Sequence, residues 1–118
     1  MSGATHPNPS LEREGLKPAN PVRGEATLRA AGLELRLRPS FAALVAAEGE
    51  LGSLFALVER AAGGGLMLGE MVGLFWHCLA ERPVALTRER FGEAVAEGGL
   101  ANATPVLKTL LQQMLAGR

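Results

Sequence analysis

The stretch "NPVRGEATLRAAGLELRLRPSFAAL", residues 20–44, decides the fold. Residues 25–30 alternate, with Ala26, Leu28 and Ala30 on one side. Residues 33–38 alternate again, with Leu33, Leu35 and Leu37 on one side. A period of two is the mark of a half-buried strand. With Ala31-Gly32 as a two-residue loop, antiparallel pairing sets Ala30 opposite Leu33, Leu28 opposite Leu35 and Ala26 opposite Leu37. Directly opposite residues share a face, so all six apolar side chains fall on one side. The other side receives Arg29 opposite Glu34, Thr27 opposite Arg36 and Glu25 opposite Arg38, two of these pairs being of opposite charge. The turn lacks the Asn-Gly or Asp-Gly that tight hairpins favour, so Ala31 must accept a strained φ or the loop must be longer. A lone hairpin is marginal in water. Its leucine face therefore needs cover from the helices that follow, or its edges from another chain.

Toward the C-terminus the period changes to that of helices. Pro39 ends the second strand, and Ser40 is a good N-cap for a helix carrying Phe41, Leu44 and Val45. A break is expected near Gly52, with Ser53 capping a second helix that carries Leu54, Leu57, Val58 and Ala61. The glycines at 63, 64 and 65 stop it. Residues 66–82 are expected to form a core helix, apolar nearly all round and hence buried on several sides. Thr87 caps a fourth helix with Phe91, Ala94 and Val95, stopped by Gly98-Gly99. Thr104 followed by Pro105 at the first helical position is expected to start the last helix. The fold class is thus α+β, an N-terminal β-hairpin packed against a bundle of about five α-helices. Toward the N-terminus, residues 1–22 hold Pro7, Pro9, Pro18 and Pro21 and no sustained period, and read as a disordered leader. Residues 23–118 read as one domain, in keeping with a chain of 118 residues.

Composition narrows the function. The formal net charge is zero, which argues against a nucleic-acid partner, including a DNA-binding regulatory role. One cysteine, Cys78, allows no internal disulfide framework, so a reducing cytoplasm is the expected compartment. Residues 1–23 carry no apolar signal-peptide core. The longest apolar stretch, residues 66–80, contains Glu70 and His77 and is too short to span a bilayer, so no membrane partner is expected.

Candidate chemistry is sparse. His77 and Cys78 are adjacent, so on a helix they point about 100° apart, and no further Cys completes a metal site. Cys78 as a nucleophile would need a base, and His77 cannot turn back to it. Glu48 with Glu50, or Glu70 with Glu81, read as solvated carboxylates. The glycines at 63–65 precede a helix but lack the Lys and Ser/Thr of a phosphate-binding loop. No catalysis, cofactor or metal is expected. What remains is apolar surface, which either completes a core or makes an adhesive face. In the last helix Leu107, Leu111 and Met114 line one stripe, Val106, Leu110 and Leu115 widen it, and Lys108, Gln112 and Gln113 take the solvated side. Leu107, Leu110, Leu111, Met114 and Leu115 are the candidate partner-binding residues, for self-association or for gripping a helix in a groove.

The order of these segments resembles that of the small tail assembly chaperones of gene transfer agents and related long-tailed phages of alphaproteobacteria. The resemblance rests on Asn20, Pro21, Arg23, Gly24 and Glu25, then Leu35, Arg36, Leu37, Phe41, Ala43 and Leu44. It continues with Glu48 and Gly52, and with Phe75, Trp76 and His77. It implies a cytoplasmic helper in tail morphogenesis that acts by binding and release rather than chemistry, with the tape measure protein as its partner and the tail tube protein as a further candidate. A permanent tail component, a tube or terminator subunit, is the alternative. A homo-oligomer is compatible with both.

Overall fold

The computed structural model describes residues 25–116; the leader expected over residues 1–22 lies outside the described residues. Two strands come first, β1 (Ala26–Ala30) and β2 (Leu33–Leu37). Five helices follow: α1 (Phe41–Leu51), α2 (Leu54–Ala62), α3 (Leu68–Cys78), α4 (Arg88–Glu97) and α5 (Leu100–Ala116). The class is α+β, as expected. The hairpin takes the expected register, Ala26 opposite Leu37, Thr27 opposite Arg36, Leu28 opposite Leu35, Arg29 opposite Glu34 and Ala30 opposite Leu33. Ala31 has φ 56° and Gly32 φ 73°. Both central residues are therefore left-handed, the geometry that matches strand twist in a two-residue loop. Holding alanine there costs on the order of 1 kcal/mol. Arg29 donates to Glu34 at 2.8 Å across the outer face.

One edge of the hairpin is closed by a segment that reads as helix in the sequence. The core helix expected over residues 66–82 spans only Leu68–Cys78. Beyond it Leu79 is extended and bridges Leu37. Arg38 N–H donates to the Cys78 carbonyl at 2.7 Å, and Ala80 N–H donates to the Arg36 carbonyl at 2.8 Å. These bonds satisfy β2's outer edge, which would otherwise be open to another chain, and they replace the last helical turn. At the other end of α3, Glu70 accepts from Met67 N–H at 3.0 Å and from Arg60 of α2, which spans the glycine linker.

The last helix also departs from expectation. It begins at Leu100, not at Thr104, and Pro105 lies inside it. Gly99, with φ 92°, offers its carbonyl to Asn102 N–H at 3.0 Å and to Ala103 N–H at 3.4 Å, so the turn nucleates before the proline. The Thr104 hydroxyl donates to the Leu100 carbonyl at 2.8 Å. Pro105 cannot donate to the Ala101 carbonyl, but Ala101 and Pro105 are both exposed and water can take that place. Buried Ala103 ties this first turn to the core.

α3 lies between α1 and α4, while β1 lies against α4 and α5. Met71, Val72, Leu74, Phe75 and Cys78 are buried, so α3 is covered on several sides as its pattern requires. The leucine face of the hairpin joins the same core through Leu28, Leu35 and Leu37, while Leu33 beside the turn stays exposed. The rings of Trp76 and Phe91 sit 5.8 Å apart, and the Arg82 guanidinium lies 4.4 Å from the Trp76 ring centre.

Candidate functional site

α1 has apolar residues on two sides. Ala43, Ala47 and Leu51 face the body, with Ala47 fully buried. Phe41 and Val45, one turn apart, face out and are 84% and 50% exposed. A surface helix normally turns a polar side to water. Its termini are well made: Ser40 Oγ accepts from Ala43 N–H at 3.2 Å, and the chain turns at Gly52 with φ 85°. Ser53 Oγ then accepts from Ala56 N–H, and the Glu48 carboxylate accepts from Leu54 N–H, each at 3.2 Å. The result is a 78° bend between α1 and α2. It brings Phe55, 78% exposed, beside Phe41 and Val45 while Leu57 on the far side of α2 is fully buried.

Two open clefts follow from this bend. The first, about 260 Å³, is lined by Phe41, Val45, Glu48, Phe55, Val58 and the end of α5 at Met114 and Leu115. The second, about 390 Å³, runs between α2 and α5 and is lined by Val58, Ala62, Leu107, Lys108, Leu111 and Leu115 among others. Val58 and Leu115 line both, so the clefts are one groove with Glu48 at one end and Lys108 at the other. Exposed apolar surface gathered in this way is the mark of a contact surface rather than of a core.

The inner side of α1 is pinned by a polar cluster. Arg88 of α4 donates to both oxygens of Glu50, one bond measuring 2.7 Å, and His77 Nε2 lies 2.8 Å from Glu50 Oε1. The hydrogen bonds from Arg88 and His77 hold the Glu50 carboxyl down at about 2. Gly73 makes room for this cluster, since a Cβ there would lie 2.9 Å from Arg88 Nη2 and 3.2 Å from Leu51 Cδ2. His77 is therefore turned to Glu50 rather than to Cys78. The Cys78 thiol is buried, and burial pushes it up to about 12, so it is no thiolate at neutral pH. Among the described residues no group of three or more His, Cys, Asp or Glu side chains gathers as a metal site.

The candidate residues from the last helix are not all alike. Leu107, Leu111 and Met114 are half-buried and line the groove, and Leu115 is 65% exposed on its rim. Leu110 is fully buried in the core. Lys108 and Gln112 line the second cleft rather than a face opposite to it. Sequence reasoning missed that Phe41, Val45, Phe55 and Val58 complete this surface. The available signal was that α1, FAALVAAEGEL, has no polar side facing water along its first two turns.

Residues 23–117 match the family model described as "Phage tail tube protein, GTA-gp10". No curated protein and no solved structure matches the chain. The family match takes in the hairpin, all five described helices and the whole groove, and its description names a tube protein rather than an assembly chaperone. This chain therefore belongs to the phage tail tube protein family GTA-gp10, a family of gene transfer agent and phage tails.

Proposed function

We propose that the protein is a structural tail component, a tube or terminator subunit, of a gene transfer agent or phage-like particle. The observation that carries this is the family match across residues 23–117. In this reading the protein is made in the cytoplasm of the bacterial host and works by contact with other tail proteins, without catalysis, metal or cofactor. The groove of α1, α2 and α5 supplies the contact: burying its phenyl rings and leucines removes apolar area from water at about 25 cal/mol per Å². The test is quantitative mass spectrometry of purified particles. A structural subunit is expected there in many copies per particle.

A second reading, an assembly chaperone that holds the tape measure protein until the tube closes around it, is favoured by one observation. The groove is lined wholly by helices and is open along its length, which suits an amphipathic helix laid into it. The same measurement separates the two. A chaperone is missing from mature particles and co-purifies with the tape measure protein from cells still assembling tails.

A further inference from the structure

We propose that the free edge of β1 is a docking site for a segment of this same chain: residues 18–22 fold back through a two-residue turn at Arg23-Gly24 and add a short third strand. The inference goes beyond the tail role and does not rest on it. An edge covered in this way offers no template to another chain, which leaves contact with other tail proteins to the groove.

The argument starts from the backbone groups of β1. The Arg36 carbonyl and the Arg38 N–H point away from β1, since they bond Ala80 and Cys78. Residues opposite each other in an antiparallel pair turn their backbone groups either both toward or both away from the partner strand. Thr27, opposite Arg36, and Arg29, opposite Glu34, therefore direct their N–H and C=O groups out of the hairpin. Among the described residues no other backbone segment pairs with that side of β1. These groups face a cleft of about 520 Å³ whose other wall is formed by α4 and α5, at Val95, Asn102, Ala103 and Val106. Val95 and Ala103 are buried and Val106 is half-buried, so the floor beside the strand edge is apolar. Such an edge recognises an extended peptide by main-chain bonds, and the floor selects its alternate side chains.

The occupant is named by where the chain outside the described residues ends. Residues 1–24 lead directly into the hairpin. Arg23-Gly24 has the same form, a residue followed by glycine, as the Ala31-Gly32 loop, in which both residues are left-handed. With Arg23-Gly24 as the loop, Val22 falls opposite Glu25, Pro21 opposite Ala26, Asn20 opposite Thr27, Ala19 opposite Leu28 and Pro18 opposite Arg29. Thr27 then exchanges both of its outward bonds with Asn20. Pro21 falls where an N–H would face solvent, the place where an edge strand tolerates proline. The Arg29 N–H reaches the Pro18 carbonyl, and the ladder ends there because Pro18 has no N–H to return. Directly opposite residues share a face, so apolar Pro21 and Ala19 join Ala26 and Leu28 over the cleft floor, while Asn20 joins Thr27 outside. Pro21 also biases Asn20 toward extended backbone. Bonds, prolines and faces thus agree on one register. A shift by one residue would set Pro21 against Thr27 and turn Asn20 inward.

The experiment is solution NMR of the isotope-labelled full chain. Cross-strand Hα contacts are expected between Pro21 and Ala26 and between Ala19 and Leu28, because the pairs that are not hydrogen-bonded approach most closely. Slow amide exchange is expected at Thr27 and Arg29. Asn20→Pro removes the N–H given to Thr27. It should erase the contacts and speed exchange at Thr27 and Arg29 at least about tenfold, as local opening of a small unit does, while Leu28, bonded to β2, keeps its rate and shows that the hairpin is intact. Ala19→Pro, at a position whose N–H faces solvent, should leave Thr27 protected. Thr27 and Arg29 exchanging as freely as unpaired amides in the wild type, absence of the Hα contacts, or the same response to both proline variants would each overturn the proposal. So would contacts seen only between differently labelled copies, which would place another chain on the edge.

Discussion

Glu50 shows how one residue ties three helices together. Its carboxylate on α1 accepts from Arg88 on α4 and meets His77 on α3, over Gly73, where a Cβ would crowd Arg88 Nη2 at 2.9 Å. The carboxyl is held at about 2 against an ordinary value of 4.5. A depressed folded-state value stabilises the fold above the unfolded value, and that contribution is lost as pH falls through the folded one. Stability should therefore decline between about pH 4.5 and 2, and Glu50→Gln should flatten that part of the curve in urea melts taken across the range. The effect should be modest, because the carboxylate is more than a third exposed and water screens it. Gly73→Val should act on the same cluster from below. It forces Arg88 and Leu51 aside and should destabilise the protein by about 1–3 kcal/mol, the usual cost of overpacking. An unchanged urea midpoint would mean that the cluster gives way freely.

Among the elements, α5 divides its leucines between two tasks. Leu110 is fully buried and belongs to the core, whereas Leu115, little more than one turn on, stands on the groove rim. Leu110→Ala should cost about 2–5 kcal/mol, as cavity-forming changes do. Leu115→Ala should stay within about 0.5 kcal/mol, as exposed changes do, when both are measured by urea unfolding at a concentration where the wild type is monomeric. Equal costs at the two positions would contradict the rotation of α5 about its axis. α1 makes the same division more sharply, with small Ala43 and Ala47 toward α3 and large Phe41 and Val45 away from it. Small residues inside allow close helix approach, and large ones outside are left for another surface.

At the scale of the molecule, the hairpin lies against α4 and α5, and the groove opens along α1, α2 and α5. Among the described residues no single helix is long and apolar enough to cross a membrane, and α1 and α2, apolar as a pair, are bent by 78°. Their shared apolar side is thus a concave surface rather than a continuous span. The core just described is built within residues 25–116. Removing residues 1–19, which offer no apolar period to bury, should leave the thermal midpoint nearly unchanged in calorimetry. A fall of more than about 4 °C, roughly 1 kcal/mol for a domain of this size, would show that the leader contributes to the fold.

The hairpin register was legible in the sequence over residues 26–37, because strand period and a two-residue loop demand it, and Ala31 takes the strained left-handed φ that the shorter of the two possible loops requires. Of the two expected charge pairs Arg29–Glu34 forms, whereas Glu25, expected on the outer side opposite Arg38, is buried and lies 4.0 Å from Arg36 instead. The caps at Ser40, Ser53 and Thr87 were legible for the same reason: each is set by bonds within four residues. What lay beyond local information was decided by tertiary contact. Leu79 leaves the helix because β2 offers it backbone partners, although the local pattern continues as helix. α5 starts four residues early because Gly99 turns the chain out of α4 there and Ala103 finds a place in the core. The groove was the least legible feature. Periodicity reports that a residue is apolar, not which side of its helix has a neighbour, and Phe41 and Leu110 carry the same local signal. Only the bend at Gly52 and the packing of α1 on α3 settle that the first is left to water and the second is not.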